Sequence, residues 1–141
     1  MAQSKILVAA SSPWAGEKLT GPLVDLARRL GADVVVVHVT QGQEEDEHET
    51  DARQRGEQTL DVLTKGLHDA GIAAEGVLLF SNDVAKAIAN TAEARGCTLI
   101  VTGRSSRGPL KRLLGGDVPA RLMRQTGLPV LVCPATWSGH V

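Results

Sequence analysis

The segment from Val34 to Val39 constrains the fold of this chain more than any other, because it contains four valines in a row. A strand with one solvent-facing side alternates apolar and polar residues, whereas an unbroken apolar run is typical of a strand buried on both faces of a parallel sheet. The run from Leu99 to Val101 has the same character. Both segments therefore predict strands inside a parallel sheet that helices cover on either side.

Strand patterns alternate with helix patterns along all 141 residues. The predicted strands are residues 5–10, 34–39, 77–80, 99–101 and 130–133. The predicted helices are residues 13–30, 52–70, 84–94 and 118–125, and they are expected to end at Gly31, Gly71, Gly96 and Gly127. Because βαβ units are joined right-handedly, this order predicts an α/β fold in which an open, parallel five-stranded sheet carries helices on both faces, as a single domain over residues 1–141.

The first helix contains a local conflict at Gly21 and Pro22. An interior proline removes a helical hydrogen bond, so the sequence predicts either a kinked helix or one that starts later than Trp14. The apolar spacing gives this helix one core-facing side, which consists of Leu19, Leu23, Leu26, Ala27 and Leu30.

The overall charge and the apolar pattern limit the classes of function. A net charge of −1 argues against a nucleic-acid-binding protein that works through bulk charge. No apolar run approaches the roughly 20 residues that span a bilayer, and the N-terminus lacks a signal-peptide pattern. We therefore expect a cytoplasmic protein without membrane insertion and without a nucleic-acid partner. Cys97 and Cys133 each flank an apolar strand and lack metal-ligand spacing, so they are expected to be buried free thiols.

Two polar features each have a structural and a functional interpretation. His38, near the end of the second strand, could line a site, but an imidazole in a strand is more often a hydrogen-bonded structural group, which is the interpretation we favour. The acidic segment 41–51 predicts a solvated loop or the frayed start of a helix, because it lacks the glycine-centred pattern of a calcium loop.

Four segments of the chain resemble the universal stress protein family: KILVAAS, VVVVHV, FSNDVAKAIANTAEARGCTLIVTG and GLPVLVCP. Nucleotide-binding members of that family carry the pattern Gly, two residues, Gly, nine residues, Gly, then Ser or Thr. On this chain the pattern falls on Gly103, Ser106, Gly116 and Asp117, so two of its four positions match. The resemblance implies a Rossmann-like adenine-nucleotide-binding α/β fold.

The resemblance also implies where a ligand would bind. Adenine and ribose would lie between the ends of the first, second and fourth strands, and phosphates would lie on the glycine loop and the start of the last helix. The expected cofactor-binding residues are Ala10, Ser11, Val39, Thr102, Gly103, Ser106, Arg107, Gly116, Asp117 and Val118. Ser11 stands where nucleotide-binding members keep an aspartate, and Val39 falls on the main-chain position next to adenine.

The two mismatches in the loop have different physical consequences. Asp117 at a helix N-terminus would occupy electrostatically the place of a phosphate and would repel a triphosphate. Ser106 adds a Cβ wherever a positive φ is required and so changes the shape of the loop. Arg104, Arg107, Lys111 and Arg112 could compensate with positive charge, or they could form an ordinary solvated surface; the sequence leaves both interpretations open.

Three functions compete on this basis. The first is a cytoplasmic stress-response binding or regulatory module with weak or lost ATP binding, and the second is a module that binds ATP or AMP, with Mg²⁺ only as the companion of the nucleotide. The third, an adenine-nucleotide-dependent enzyme, is disfavoured because no catalytic constellation and no metal-ligand cluster can be nominated from the sequence. In members of the family the last strand lies at an exposed edge and pairs antiparallel with its twin, so the resemblance also implies a homodimer through Val130, Leu131, Val132 and Cys133. An unidentified protein partner is compatible with a regulatory module.

Overall fold

The computed structural model describes residues 3–11, 13–40, 49–103 and 118–133. Within them the strands are β1 (Lys5–Ala9), β2 (Asp33–Thr40), β3 (Ala74–Phe80), β4 (Leu99–Gly103) and β5 (Val130–Cys133). The helices are α1 (Pro13–Leu30), α2 (Glu49–Asp69), α3 (Val84–Ala94) and α4 (Val118–Gln125). The order of elements is the predicted one.

All five strands form one parallel sheet in the order β3-β2-β1-β4-β5. Strand β1 lies in the middle, where Ile6 pairs with Val34 of β2 on one side and with Leu99 of β4 on the other. Strands β3 and β5 form the two edges. The predicted open, parallel, five-stranded α/β sheet is confirmed, and β2 lies one strand away from the centre.

The core consists of two layers, one on each face of the sheet. Val34 and Val36 of β2 pack with α1 and α2, whereas Val35 and Val37 pack with α3 and α4. All four valines are at most 1% exposed. Full burial of such a side chain stabilises the folded state by about 1.5–3 kcal/mol. A strand that is covered by helices on both faces therefore has apolar residues at successive positions.

Helix α1 begins at Pro13 and continues through Pro22, so the predicted later start is wrong. Glycine at position 21 has no Cβ to clash with the following proline ring, which removes the usual obstacle to helical backbone before proline. Four of the five predicted core residues are buried, but Leu30 is 44% exposed. Leu30 is the last residue of the helix. The apolar spacing predicts which side of the helix faces the sheet, but it does not predict how far along the helix the sheet covers that side.

Three helices end as predicted, on a glycine in the left-handed region. Gly31, Gly71 and Gly96 have φ values of 61°, 78° and 69°, a conformation that costs glycine little because it lacks a Cβ. Helix α4 ends differently from the prediction, because the turn is made by Thr126 and Gly127 has no positive φ. The Thr126 amide donates to Leu122 O at 3.0 Å, and the Thr126 hydroxyl accepts the Leu128 amide at 3.2 Å.

The structure also shows the N-cap of α3 and confirms the two buried thiols. Asp83 is the N-cap of α3, where its carboxylate accepts the Lys86 amide at 3.1 Å. Cys97 and Cys133 are free and buried, and burial raises the pKa of both thiols. The expectation for the acidic segment concerns residues that are mostly outside the described ones, and the described helix α2 begins at Glu49.

Candidate functional site

The strand order identifies a topological switch point at the carboxyl end of β1, where the fold is expected to form a crevice. The chain moves from β1 to β2 on one side and later places β4 on the other, so the direction of winding reverses at β1. Ligands of open α/β sheets bind at such a switch point, beyond the carboxyl ends of the strands. Three segments end there: Ala10 and Ser11 after β1, Val39 and Thr40 in β2, and Thr102 and Gly103 in β4.

Main-chain groups of Val39 face this crevice. The amide of Ala10 donates to Val37 O at 3.0 Å, and the amide of Ser81 donates to Thr40 O at 3.0 Å. The main-chain groups of successive strand residues point to opposite sides, so the N–H and C=O of Val39 point, like those of Val37, toward β1. Pairing between β1 and β2 stops at Ala9 and Val37, and among the described residues no hydrogen bond joins the Val39 amide to Ala10. A donor and an acceptor therefore lie side by side beyond the end of β1.

The carbonyl of Ala10 is bound by a side chain instead. His38 Nδ1 lies 2.8 Å from Ala10 O, and because a carbonyl only accepts, the ring donates from Nδ1–H. Burial lowers the pKa of His38, and the nearby charge of Arg55 lowers it further, while the bond to Ala10 acts in the opposite direction. The imidazole is thus neutral at neutral pH, and the expectation of a hydrogen-bonded structural histidine is confirmed.

The imidazole fits into a space that α2 leaves open at Gly56. A Cβ at position 56 would come within 3.0 Å of His38 Cδ2 and within 2.5 Å of Leu78 Cδ1. The hydroxyl of Thr40, on the same face of β2, is buried and has no hydrogen-bond partner in the described part of the chain. Sequence reasoning missed this cluster, although a glycine inside an otherwise regular helical pattern was a signal of close approach.

The β4 side of the crevice is formed by Thr102 and Gly103. Thr102 is buried, and its hydroxyl donates to Gly103 O at 3.3 Å. Gly103 is exposed, and a Cβ added there would meet no atom of the described residues within 4 Å. Val118, the first residue of α4, is half-buried against the core layer of α3 and α4. Within the described part of the chain, the main chain at the end of β4 is therefore exposed at Gly103.

Residues 3–134 of the chain match the model of the universal stress protein family. The chain belongs to the universal stress protein family. No curated protein is significantly similar to it in sequence.

Solved universal stress proteins share the fold. One from Burkholderia pseudomallei is 28% identical with a TM-score of 0.72, and the match covers 95% of this chain and 98% of that one. One from Archaeoglobus fulgidus, solved in complex with dAMP, is 21% identical with a TM-score of 0.68, over 94% of this chain and 98% of the other. A third, from Arabidopsis thaliana with AMP bound, is 17% identical with a TM-score of 0.62, over 93% and 91%.

The structure of this universal stress protein brings part of the predicted site together. The ends of β1, β2 and β4 place five predicted residues around one crevice, namely Ala10, Ser11, Val39, Thr102 and Gly103. Ser11 is exposed, whereas Ala10 is buried with its side chain in the layer of α1 and α2. Val118 begins α4 as predicted. The remaining predicted residues lie outside the described ones: Ser106, Arg107, Gly116 and Asp117.

Other features of this universal stress protein lie away from the crevice. A shallow cavity of about 250 Å³ lies between α2 and the edge strand β3, and Glu57, Asp61 and His68 are among its lining residues. The His68 ring is engaged there, because Nε2 lies 2.8 Å from Ala74 O. The described residues contain no group of three or more side chains suited to hold a metal ion. No described helix is long and apolar enough to cross a bilayer.

Proposed function

We propose that this universal stress protein is a cytoplasmic, homodimeric regulatory module of the stress response that retains the base-binding side of its crevice and binds ATP weakly or not at all. The observation that carries the proposal is the Val39 amide and carbonyl, which face the gap beyond β1 without a partner from that strand among the described residues. The two sides of the crevice differ in how well they suit a nucleotide.

The base side suits adenine. The base presents an N–H donor beside a ring-nitrogen acceptor, which is complementary to the adjacent acceptor and donor of Val39. Strands β2 and β4 flank β1 and are separated by two strand spacings, about 9.6 Å, which leaves room for a planar ring above the end of β1. Relatives of the same fold were solved with dAMP and with AMP, which supports an adenine nucleotide as the ligand class.

The phosphate side suits a triphosphate poorly. Asp117 directly precedes Val118, the first residue of α4, in the sequence, and it stands where the family pattern has Ser or Thr. A carboxylate at that position would favour the positive end of the helix in place of a phosphate. Like charges at contact distance oppose binding by about 1 kcal/mol or more, which is several-fold in affinity. Adenosine and AMP carry less negative charge than ATP, so the repulsion by the Asp117 carboxylate should weaken their binding less.

The second candidate is a protein that binds ATP or AMP with its basic loop. Residues 104–112 contain four cationic side chains, Arg104, Arg107, Lys111 and Arg112. Gly103, directly before that segment, favours this candidate, because it is exposed and has no side chain, so a ligand could approach its main chain. In that case the attraction of the four cations for the phosphates exceeds the repulsion by Asp117. Neither of the two candidate functions requires a catalytic residue.

Isothermal titration calorimetry with adenosine, AMP and ATP–Mg²⁺ distinguishes the two candidates. We expect wild type to bind adenosine and AMP more tightly than ATP. The Ser106→Gly, Asp117→Ser double variant should gain affinity mainly for ATP, because it removes the carboxylate and restores the loop's freedom. Tight binding of ATP by wild type would establish the second candidate. If none of the three compounds binds, the proposal that the base-binding side is retained is refuted.

The homodimer is proposed through the edge strand β5. Val132 is 38% exposed although it lies in an apolar strand. The carbonyl of Pro129 accepts the Ile100 amide at 3.0 Å and so faces β4. By the alternation along a strand, Leu131 also faces β4, whereas the amides and carbonyls of Val130 and Val132 point away from the sheet. These outward groups can pair with those of a second copy across a two-fold axis.

A further inference from the structure

We propose that His38 is a positioning residue that keeps the Val39 amide available to a ligand, by supplying in its place the hydrogen bond that the Ala10 carbonyl requires. The role concerns the base side of the crevice and thus rests on the proposed function. Neither the family pattern nor the fold assigns a role to this imidazole.

The register explains what would happen without the imidazole. In a parallel ladder, a residue of one strand donates its amide to one residue of the neighbouring strand and accepts from the residue two positions further on. Ala10 makes the first of these bonds with Val37 O at 3.0 Å. The second would come from the Val39 amide. The ladder would then extend by one bond and would consume the donor that faces the crevice.

The His38 ring supplies a donor to the Ala10 carbonyl where this extension would supply the Val39 amide. Its Nδ1 lies 2.8 Å from Ala10 O, so the carbonyl is satisfied from the face of the sheet that carries α1 and α2. The buried Ala10 cannot leave its carbonyl without a donor, because an unpaired buried carbonyl costs about 1–3 kcal/mol. With the imidazole bonded, the carbonyl is satisfied without the Val39 amide, and the energetic reason for the ladder to extend is reduced.

The packing around the ring keeps it in this position. Gly56 allows α2 to approach so closely that a Cβ there would come within 3.0 Å of His38 Cδ2. Leu78 of β3 borders the same space. A ring confined between a helix and the sheet has few alternative rotamers, so its Nδ1–H stays directed at Ala10. Because the ring is neutral, one nitrogen carries the proton, and the bond to a carbonyl fixes that proton on Nδ1.

Amide hydrogen exchange of Val39, followed by NMR, tests the proposal without any ligand. His38→Leu removes the donor at similar size, and His38→Asn is the matched control, because its amide nitrogen occupies the position of Nδ1. In wild type and His38→Asn we expect the Val39 amide to exchange quickly relative to Val37 of the same strand. In His38→Leu we expect its exchange to slow by about tenfold or more, as expected for a newly formed ladder bond, with a scalar coupling across the new hydrogen bond between Val39 N and the Ala10 carbonyl carbon.

Each outcome bears on the proposal. A Val39 amide that is already protected in wild type, or unchanged protection in a folded His38→Leu variant, would overturn it. If His38→Leu does not fold, the wild-type spectrum still decides, because the proposal requires the Nδ1–H tautomer and a coupling from His38 Nδ1 to the Ala10 carbonyl carbon. Addition of AMP should slow exchange at Val39 in wild type and have a weaker effect in His38→Leu. Failure of AMP to bind would refute the proposed function while leaving the exchange results, and this inference, intact.

Discussion

Gly56 of α2 lies against His38 of β2 so closely that a Cβ on the glycine would come within 3.0 Å of the imidazole Cδ2. This contact joins a helix on one face of the sheet to the carboxyl end of a strand that borders the candidate site. The glycine therefore has a packing reason, even though glycine inside a helix is unfavourable by roughly 0.5–1 kcal/mol relative to alanine.

Gly56→Ala should lower the free energy of unfolding by about 1 kcal/mol, despite the better helix propensity of alanine. The added methyl meets His38 and Leu78, and overpacking of a filled interior costs about 1–3 kcal/mol, which outweighs the gain in propensity. Urea denaturation measures the change. Gln58→Ala, an exposed position in the same helix, is the control and should change stability by less than about 0.5 kcal/mol. A Gly56→Ala variant more stable than wild type would show that the space at the imidazole is larger than described.

The stability of wild type should fall on acidification through the titration of His38. Burial lowers the pKa of this imidazole in the folded protein below the ordinary value of 6.5. The unfolded chain therefore takes up a proton at a higher pH than the folded one, so the stabilisation is present above pH 6.5 and is lost as the pH falls below it. Urea denaturation of wild type and of His38→Asn, at about pH 7.5 and about pH 5.5, measures the effect. Wild type should lose more stability between the two values than the non-titrating variant, and equal losses would contradict the assignment.

Asp83→Ala should destabilise the protein by about 1 kcal/mol, the usual contribution of a helix N-cap. The Asp83 carboxylate accepts the Lys86 amide and also lies 3.7 Å from Arg121 Nη2 of α4. Asp83→Asn separates the two contacts, since asparagine caps a helix but carries no charge. Because both side chains of the ion pair are more than a third exposed, Asp83→Asn should lose less than about 0.5 kcal/mol relative to wild type. Thermal unfolding of the two variants gives the comparison, and a loss in Asp83→Asn as large as in Asp83→Ala would assign the stabilisation to the ion pair.

Leu122→Ala should cost about 2–5 kcal/mol, because Leu122 is fully buried in the layer between the sheet and α3 and α4. The neighbouring Met123 is 65% exposed, so Met123→Ala should cost less than about 0.5 kcal/mol. Denaturant unfolding of both variants measures the difference. Similar losses for the two would contradict the described orientation of α4.

Val132→Pro should weaken the proposed dimer while leaving the sheet within each copy paired. The Val132 amide points away from β4, and proline lacks that amide, so a bond to a second copy is lost without a bond to β4. We expect the dimer dissociation constant to rise by about tenfold or more, measured by sedimentation equilibrium. Leu131→Pro is the control, because its amide faces β4 and its loss should lower the free energy of unfolding by about 1–3 kcal/mol. A monomeric wild type at micromolar concentration, or a Val132→Pro dimer as tight as wild type, would contradict the proposed interface.

Much of the fold could be predicted because its strands and helix ends are marked by local sequence patterns. The unbroken apolar runs of β2 and β4 indicate strands with two covered faces, and left-handed glycines end three helices within one or two residues of the predicted positions. The beginning of β3 was missed because Glu75 and Gly76 look like loop residues. They pair with Val35 and Val36 at an edge of the sheet, where one open side tolerates polar residues.

The sequence by itself determined which segments are strands and helices, that the sheet is parallel, and at which end of the sheet a candidate site lies, because these follow from periodicity and the order of elements. Tertiary structure decided that His38 donates to the Ala10 carbonyl and that, among the described residues, the Val39 amide has no partner in β1. His38 and Ala10 are 28 residues apart, and Gly56 reaches them from a third element. No local sequence pattern predicts that these three residues come into contact. It depends on register and on the distance of closest approach between a helix and the sheet, and these are fixed only when the core is packed.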